Sequence, residues 1–399
     1  MTTWPLVALG DIFDIARGGS PRPIQNYITD DVDGVNWIMI ADASESSKYI
    51  TSTKKRIRKE GVKNSRMVYP GDFVLTNSMS FGRPYIMKTS GCIHDGWLVL
   101  SNRLENVDSN YFFHLLGSNA VYLEFARRAA GATVKNLNID LVKGVQIPLP
   151  PLEEQKRIAE ILDRAEELRS KRREAIAQLD TLTQAIFFEM FGEPVLNGWA
   201  METIAEIVHP SSGSIRTGPF GSNLLHSEFV EEGVAVLGID NAVANEFRWG
   251  ERRFISELKY RGLKHYTVRP GDVIITIMGT CGRCAVVPDN IPVAINTKHL
   301  CCITLNPAKC LPRFLHAYFL LHPIARQYLN QTKKGAIMAG LNMAIIKSMP
   351  IFIPSLSLQK EFTRRAEAVD KLKAAHRASL SELDALFASL QHRAFRGEL

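Results

Sequence analysis

Two long stretches of the chain carry apolar residues at alternating steps of three and four positions, the spacing of one face of an α-helix. The first stretch covers residues 153–190 without a glycine or proline, and its apolar positions include Ile158, Leu162, Ala165, Leu168, Ile176, Leu179, Leu182 and Ile186. The second stretch has Phe362, Ala366, Val369, Leu372, Leu380, Leu383, Leu386 and Leu390. Because each stripe is sustained over about five heptads, we predict two long coiled-coil helices.

Prolines mark the start of both predicted helices, and a glycine marks the end of the first. The first helix follows residues 148–151, Pro-Leu-Pro-Pro, and the second follows Pro350 and Pro354. Proline is well placed before a helix but cannot continue inside one. Gly192, with Pro194 two residues later, is an expected helix stop.

The remaining sequence mixes short apolar runs with Gly, Pro, Asn and Asp. Runs typical of strands lie at residues 35–40, 73–76, 97–101, 235–238 and 273–278, and helical stretches lie at 111–126 and 312–329. This mixture predicts an α+β (mixed α/β) fold with curled sheets. The sequence alone does not give the strand order.

Much of the sequence occurs twice, about 200 residues apart. Residues 69–76, Tyr-Pro-Gly-Asp-Phe-Val-Leu-Thr, return at 269–276 as Arg-Pro-Gly-Asp-Val-Ile-Ile-Thr. Later matches pair Gly131, Leu137, Asn138, Pro150, Leu152, Gln155 and Lys156 with Gly335, Leu341, Asn342, Pro354, Leu356, Gln359 and Lys360. Such a long repeat indicates two similar domains rather than a solenoid, whose repeats are about 20–50 residues long.

The repeat and the helix patterns together define the expected domains. We predict globular domains at residues 1–150 and 193–354, followed by long helices at 151–192 and 355–399. We expect the two helices to pack on each other as an antiparallel coiled coil, although the connection between them allows either direction. Alternatively, each helix packs on its own globular domain. The charged run 171–174, Lys-Arg-Arg-Glu, speaks against burial on every side.

The net charge of +7 and the isoelectric point near 9.0 mildly favour a polyanionic partner. Many proteins carry such an excess without one. Residues 1–5 lack the basic segment and apolar stretch of a signal peptide. No run approaches the about 20 apolar residues of a membrane span, so we expect a cytoplasmic protein.

Five of the six cysteines lie in the second repeat: Cys281, Cys284, Cys301, Cys302 and Cys310. Cys281 and Cys284, followed by His299 and the Cys301-Cys302 pair, leave a zinc site open as an alternative. Adjacent cysteines make an awkward half-site, because closed zinc sites usually space their ligands by two to four residues. The first repeat has Phe81 and Pro84 at the corresponding positions, so we favour buried free thiols.

The junction before the first long helix, residues 147–158, reads Ile-Pro-Leu-Pro-Pro-Leu-Glu-Glu-Gln-Lys-Arg-Ile. With two globular modules that each precede a long helix, it resembles the specificity (S) subunit of type I restriction–modification enzymes. The residues 391–399, Gln-His-Arg-Ala-Phe-Arg-Gly-Glu-Leu, are similar to that family's C-terminal tail. The resemblance covers the whole chain. The second junction, residues 353–360, departs from it by lacking the second proline and the glutamates.

The resemblance implies that each globular module is a target recognition domain that reads one half of a split DNA sequence. The helices would fix the gap between the halves and dock two modification (methyltransferase) subunits, with restriction subunits joining through the complex. The repeated segments described above form a frame that the two modules share. Since the modules differ outside this shared frame, the target would be asymmetric. The chain itself would have no catalytic activity and no cofactor; S-adenosylmethionine, ATP and magnesium would belong to the partner subunits.

Basic, amide and hydroxyl residues, most of them outside the repeated segments, are the candidates for DNA contact, since cations bind phosphates while Arg and Asn read base edges. In the first module they are Arg17, Ser20, Arg22, Lys54, Lys55, Arg56, Arg58, Lys63, Asn77, Ser78, Ser80, Arg83 and Lys135. In the second they are Arg216, Ser222, Asn223, Arg248, Arg252, Arg253, Thr280, Arg283, Lys298, Lys333 and Lys334. The alternative for residues 54–59 is a solvated hairpin. Because Arg83 and Arg283 repeat, they fit a scaffold or phosphate role better than base discrimination.

Two other classes of function compete with DNA recognition. An enzyme with its own chemistry would need a motif that we do not find: there is no Gly-x-x-x-x-Gly-Lys-Ser/Thr loop and no Asn/Asp-Pro-Pro-aromatic motif of an amino-methyltransferase. A coiled-coil scaffold with two modules that bind ligands other than DNA is the remaining alternative, and salt-titrated DNA binding separates it from the DNA reading.

Overall fold

The structure is a computed structural model that describes residues 4–44, 48–77, 82–104, 106–129, 137–194, 196–334 and 340–399. The chain divides into two compact units. Unit 1 comprises Met1–Glu174 and Arg377–Leu399, and unit 2 comprises Ala175–His376. Within the described ranges, no helix is long and apolar enough to cross a membrane.

Unit 1 is an α+β assembly followed by a long helix. Its described strands are β1 (Leu6–Ala8), β2 (Phe13–Arg17), β3 (Ile28–Thr29), β4 (Val35–Ile38), β5 (Tyr49–Ile50), β6 (Lys55–Ile57), β7 (Arg66–Val68), β8 (Phe73–Thr76), β9 (Pro84–Met87), β10 (Gly91–Ile93), β11 (Trp97–Asn102) and β12 (Gln146–Pro148). Its α-helices are α1 (Leu9–Ile12), α2 (Ile40–Ser44), α3 (Ser109–Leu116), α4 (Asn119–Ala129), α5 (Ile139–Lys143) and the first part of α6 (Leu152–Phe191).

Unit 2 follows a similar order of elements, but within its described residues it lacks a counterpart of β5 and has an additional α-helix between two strands of its five-stranded sheet. Its described strands are β13 (Met201–Thr203), β14 (Ile215–Thr217), β15 (Phe229–Val230), β16 (Val234–Leu237), β17 (Phe254–Ile255), β18 (Thr267–Val268), β19 (Val273–Thr276), β20 (Cys284–Val286), β21 (Ala294–Asn296), β22 (Leu300–Ile303) and β23 (Pro350–Phe352). Its α-helices are α7 (Glu257–Leu263), α8 (Pro312–Leu321), α9 (Pro323–Lys334), α10 (Met343–Lys347) and the first part of α11 (Leu356–Ala394).

The strand order shows that the duplication extends to the sheets. In unit 1 the described strands form sheets of order β3-β6-β4-β10-β7 and β2-β11-β8-β9-β5, with β1 paired to β12. Unit 2 repeats these as β15-β17-β16-β21-β18, β14-β22-β19-β20 and β13-β23. In the first sheet of each unit one central pair is parallel, β4 with β10 and β16 with β21, and the other pairs are antiparallel. In the second sheet of unit 1 the edge strand β5 pairs in parallel with β9. The mixed α+β prediction is confirmed.

A repeated turn explains the Pro-Gly-Asp motif. Asp72 accepts a hydrogen bond from the backbone N–H of Tyr69 at 2.8 Å, and Asp272 accepts the same bond from Arg269 at 2.8 Å. Gly71 between them has a φ of 97°, which residues with a side chain rarely adopt. The turn therefore needs both glycine and aspartate, and it leads into the buried strands β8 and β19 in the two units.

Within each unit, the start of one long helix lies beside the end of the other, running in the opposite direction. In unit 1, Arg169 of α6 donates to Asp384 of α11 at 2.7 Å, and Arg157 donates to the carbonyl of Leu399 at 3.0 Å. In unit 2, Lys373 of α11 bonds Asp180 of α6 at 2.8 Å. The helices pack as expected in each unit, while their knobs-into-holes geometry stays a prediction, as do the boundaries at 150, 192 and 354.

Two helical stretches from the sequence are each made of two helices. Residues 111–126 fall into α3 and α4, which separate at Gly117, where the Ser118 hydroxyl accepts a hydrogen bond from the Val121 N–H. Residues 312–329 fall into α8 and α9, which separate before Pro323 because proline lacks the N–H that a continuous helix requires. The apolar pattern continues through both breaks, and the sequence signal for the second one was Pro323.

Candidate nucleic-acid interface

In unit 1, four of the candidate residues meet around Asp95, in the loop between β10 and β11. The Arg17 Nε and the Asn77 Nδ2 donate to the Asp95 carbonyl at 3.0 and 3.2 Å. The Ser20 hydroxyl donates to the Asp95 carboxylate at 2.8 Å, and Arg22 lies 3.7 Å from it. The Ser20 hydrogen bond lowers the pKa of Asp95, so the carboxylate is charged at neutral pH. Polar side chains from two segments, residues 17–22 and Asn77, thus converge on one loop.

Two buried polar atoms lie unused beside this loop. The Asn77 Oδ1 and the His94 Nε2 have no hydrogen-bond partner among the described residues. His94 accepts the Gly96 N–H through Nδ1, so its neutral form carries the proton on Nε2. Burial lowers the pKa of His94, and the charge of Asp95 offsets this only in part. A buried donor and a buried acceptor are therefore available next to the Asp95 loop.

The basic cluster 54–59 contains a sheet strand, β6, rather than a free hairpin. Lys55, Arg58 and Lys63 point to solvent, whereas Arg56 donates to the carbonyl of Val32 at 3.2 Å. The backbone of Lys54 donates to Asp42 at 3.2 Å. Since Arg56 is engaged by the neighbouring loop, the exposed members of the cluster are the ones suited to bind phosphate.

The structure places the basic residues of unit 2 at the same sheet position. Ile57 of β6 pairs with Val35 and Ile255 of β17 pairs with Val234, so β17 is the counterpart of β6. Arg252 and Arg253 therefore correspond to Lys54 and Lys55. Arg252 lies 5.2 Å from the centre of the Trp249 ring, a cation–π contact. Two cations at the start of this strand are common to both units although no sequence motif repeats there.

Arg253 belongs to a polar cluster at the carboxyl ends of the parallel strands β16 and β21. Its Nη2 donates to Asp240, which follows β16. Lys298 and His299 follow β21, and burial together with the charges of Lys298 and Arg253 lowers the pKa of His299. Lys298 and Asp95 occupy the same place in the two loops, since the chain continues into β22 and β11 respectively. The same backbone position thus carries a cation in unit 2 and an anion in unit 1.

Arg216 does not belong to this exposed set. Its Nη2 donates to Asp272 at 2.6 Å and to the carbonyl of Thr267 at 2.6 Å, and its Nη1 donates to Thr304 at 2.9 Å. The side chains of Arg216 and Asp272 are only 10% and 1% exposed. Since its Nη1 and Nη2 are held by acceptors within unit 2, the guanidinium is suited to stabilise the sheet, and a DNA contact by Arg216 stays a prediction that this burial disfavours.

The other candidates lie in exposed loops or outside the described parts. Ser222 and Asn223 are exposed after β14, Arg248 is exposed and paired with Glu246, and Thr280 is exposed in the loop between β19 and β20. Arg83 and Arg283 are exposed and follow equivalent glycines. Ser78, Ser80 and Lys135 lie outside the described residues, as do the side chains of Lys333 and Lys334.

The two acidic residues that organise these clusters, Asp95 and Asp240, were not among the predicted DNA contacts, because those were chosen from basic, amide and hydroxyl side chains. The signal that could have found them is the comparison of the two repeats in their loops. The segment His94-Asp95-Gly96 of one copy takes the place of Thr297-Lys298-His299 in the other. A position whose charge reverses between copies of one fold is a candidate for a role that differs between them.

The cysteines are placed differently from a zinc site. Cys301 and Cys302 are neighbours on β22, so their side chains lie on opposite faces of the sheet. Cys302 donates to Asp272 at 3.1 Å, and Cys281 donates to the Ile277 carbonyl at 3.1 Å. Burial raises the pKa of Cys301 and Cys302, which disfavours thiolates. Across the described ranges, no three His, Cys, Asp or Glu side chains are grouped to hold a metal ion.

A duplicated α+β fold with long antiparallel helices is the architecture of a known protein family. The family model for the type I restriction modification DNA specificity domain matches residues 1–178 and 243–385. The chain therefore belongs to the family of type I restriction–modification specificity subunits, whose role is DNA recognition rather than catalysis, and the resemblance found in the sequence is confirmed.

Relatives and solved structures agree with this assignment. The chain is 23% identical to the type I restriction enzyme EcoBI specificity subunit of Escherichia coli, over 100% of this chain and 86% of that protein. It is 24% identical to the EcoKI specificity subunit of Escherichia coli strain K12, over 99% and 89%. The fold is similar to a chain from a study of complex assembly and conformational transition of the type I R-M system, with a TM-score of 0.61, 19% identity and 99% and 98% coverage. It is also similar to the type I S subunit from M. genitalium, with a TM-score of 0.56, 16% identity and 99% and 96% coverage.

Proposed function

We propose that units 1 and 2 each read one half of an asymmetric, bipartite DNA sequence. The observation that carries this proposal is the contrast between a shared frame and divergent loops. The sheets repeat in strand order except for β5, which has no counterpart among the described strands of unit 2, whereas Arg17, Asn77 and Asp95 of unit 1 are replaced at equivalent positions by Thr217, Ile277 and Lys298 in unit 2. Side chains that vary on a constant backbone are suited to read two different sequences.

The candidate side chains divide into two kinds by their surroundings. The exposed cations near β6 and β17, such as Lys55 and Arg252, suit phosphate oxygens, which position a protein on DNA without reading its sequence. The Asp95 loop with Asn77 and the Asp240 loop with Arg253 offer fixed donors and acceptors, which suit base edges. Affinity and specificity thus come from different residues within each unit.

We further propose that the paired helices form a coiled coil that fixes the gap between the half-sites and docks the modification subunits. In unit 1, Leu168 and Leu386 are about half exposed on α6 and α11. In unit 2, Leu182 and Leu372 are similarly exposed. Apolar side chains left on the outer faces of helices that already pack together are suited to receive further helices from a partner.

The expected partners are double-stranded DNA, two modification subunits and, through the complex, restriction subunits. The relatives are named as subunits of type I restriction enzymes, and one solved structural neighbour comes from work on the assembly of such a system, which supports this proposal. Catalysis and its cofactors, S-adenosylmethionine, ATP and magnesium, would lie on the partner subunits.

Salt-titrated binding of the full chain to duplex DNA tests the proposal. If the exposed cations bind phosphates, log Kobs falls linearly with log salt, with a slope of about −0.9 for each phosphate contacted. Substitution of Lys55 by Ala should make the slope shallower by about one unit, whereas the control Lys171→Ala on α6 should leave it unchanged. Binding that is insensitive to salt would instead favour the scaffold alternative with ligands other than DNA.

A further inference from the structure

The Asp240–Arg253 pair is a feature of unit 2 alone. The strand registers align Leu237 of unit 2 with Ile38 of unit 1, because each precedes the same turn and lies on the parallel partner of β21 or β10. Asp240 then corresponds to Ala41, and Arg253 corresponds to Lys55. Neither the acid nor the guanidinium belongs to the shared frame, so the pair is not needed to build this fold.

Two glycines leave room for the pair. A Cβ placed on Gly238 would lie 2.6 Å from the Arg253 Nη2, and one placed on Gly250 would lie 2.3 Å from the Asp240 Oδ2. Both distances are shorter than real side-chain contacts, so a larger residue at either position would displace the pair. The counterpart of Gly238 in unit 1 is Met39, where no such pair exists. The backbone of unit 2 is thus adapted to hold these two side chains.

The pair is only partly bonded. The Arg253 Nη2 donates to the Asp240 Oδ1, while the Arg253 Nε and the Asp240 Oδ2 are both buried and have no hydrogen-bond partner among the described residues. One further bond between these two atoms would complete a side-on, two-point pairing of carboxylate and guanidinium. Such pairing engages the Nε edge of the guanidinium and leaves its Nη1–Nη2 edge free to bind elsewhere.

The surroundings of the Nη1–Nη2 edge suit contact with a DNA base. The Arg253 side chain is 31% exposed, so part of the guanidinium reaches the surface. The charges of Lys298 and Arg253 both lower the pKa of His299, so Lys298 and the His299 ring lie near this guanidinium and add a positive charge and a further polar group. Two parallel N–H donors match the O6 and N7 acceptors that guanine alone presents together in the major groove.

We propose that Arg253 reads a guanine in the half-site of unit 2 and that Asp240 is the positioning residue that fixes its guanidinium. This inference rests on the proposed function of the two units as readers of half-sites. Unit 1, with Lys55 and Ala41 at the same positions, has no fixed fork there and reads its half-site through the Asp95 loop.

The test is selection of bound sequences from a randomised duplex library by the full chain, co-expressed with the modification subunit of its system. Substitution of Arg253 by Ala should reduce the preference for guanine at one position of one half-site by about 5- to 150-fold, with the other positions and the gap unchanged. Asp240→Asn should cause a smaller loss at the same position. The charge-matched control Arg261→Ala, on the exposed face of α7, should select the wild-type motif.

The inference is overturned if Arg253→Ala selects the wild-type motif, or if it weakens every position equally. Thermal unfolding shows whether each variant is folded, and Arg253→Gln, which keeps a polar side chain, replaces the alanine variant if that one does not fold. A wild-type chain that selects no bipartite motif would refute the proposed function itself. A wild-type motif whose half-sites both persist in the Arg253 variants would refute this inference alone.

Discussion

Gln155 and Gln359 occupy the same fully buried position in the two units and make the same hydrogen bonds. The Gln155 Nε2 donates to the carbonyls of Pro150 and Asn106, at 2.9 and 3.1 Å, and its Oε1 accepts the Asp108 N–H at 2.9 Å. The Gln359 side chain bonds the carbonyls of Pro354 and Lys309 and the N–H of Leu311, at 2.9, 2.9 and 2.8 Å. One glutamine in the first turn of each long helix therefore ties that helix to its own globular module.

Replacement of Gln155 or Gln359 by Leu should destabilise the unit that contains it. Each backbone group left buried without a partner costs about 1–3 kcal/mol, so we expect a loss of about 2 kcal/mol or more for either variant. Chemical denaturation of the full chain measures this loss. The exposed Gln327→Leu on α9 is the control and should change stability by less than about 0.5 kcal/mol. Equal, small effects for buried and exposed glutamines would contradict this role.

The Arg216–Asp272 ion pair should act on stability and not on DNA preference. Substitution of Arg216 by Met leaves a buried carboxylate unpaired, which costs about 3–5 kcal/mol. The comparison is Arg248→Met, which removes an exposed pair with Glu246 and should cost about 0–1 kcal/mol. Denaturation and library selection on the same preparations separate the two roles. A stable Arg216 variant with an altered motif would show that Arg216 contacts DNA after all.

Gln155 and Arg216 illustrate which features of the structure could be predicted from the sequence and which could not. The helices were predictable because 153–190 and its repeat carry a long apolar stripe without helix breakers, and Gln155 stood out because it returns as Gln359. The partner of Arg216 was not predictable, because sheet pairing brings Asp272 to it from 56 positions further along the chain, which no local pattern reveals. The equivalence of Lys55 and Arg253 was also not predictable from the sequence. Strands of two or three residues carry too little of an alternating pattern to fix their register.

Asp163 links α6 to the globular module of unit 1 in a way that depends on pH. It accepts hydrogen bonds from the Lys48 Nζ at 2.7 Å and pairs with the His114 Nε2 at 2.8 Å. Burial alone would raise the pKa of Asp163, but the bonds from His114 and Lys48 and their charges outweigh it, so this pKa is lowered. A carboxyl with a lowered folded-state pKa stabilises the fold above its unfolded pKa, and this contribution is lost as the pH falls through the folded value.

Substitution of Asp163 by Asn should therefore lower the unfolding temperature at pH 7. The difference from the wild type should shrink as the pH falls below about 4, where the wild-type carboxyl also becomes protonated. Thermal unfolding at pH 7, 5 and 3 provides the measurement. A difference that stays constant across this range would mean that the charge of Asp163 does not contribute.

The length of the helices should set the gap between half-sites. We would insert four residues into α6 between Ile176 and Leu182, with a matching insertion beside Lys373 of α11, which faces Asp180. Four helical residues add about 6 Å, the rise of about two base pairs. Mapping of methylated sites should show a changed gap with both half-sites intact. Changed half-sites with an unaltered gap would refute the proposed role of the helices.

The central claim, that the two units read different halves of one DNA site, is tested most directly by sequencing the DNA that the full chain and its modification subunit select from a randomised library. The account predicts one motif with two unlike specified segments separated by a fixed number of unspecified base pairs. A single contiguous motif, two identical half-sites or no sequence preference would contradict it.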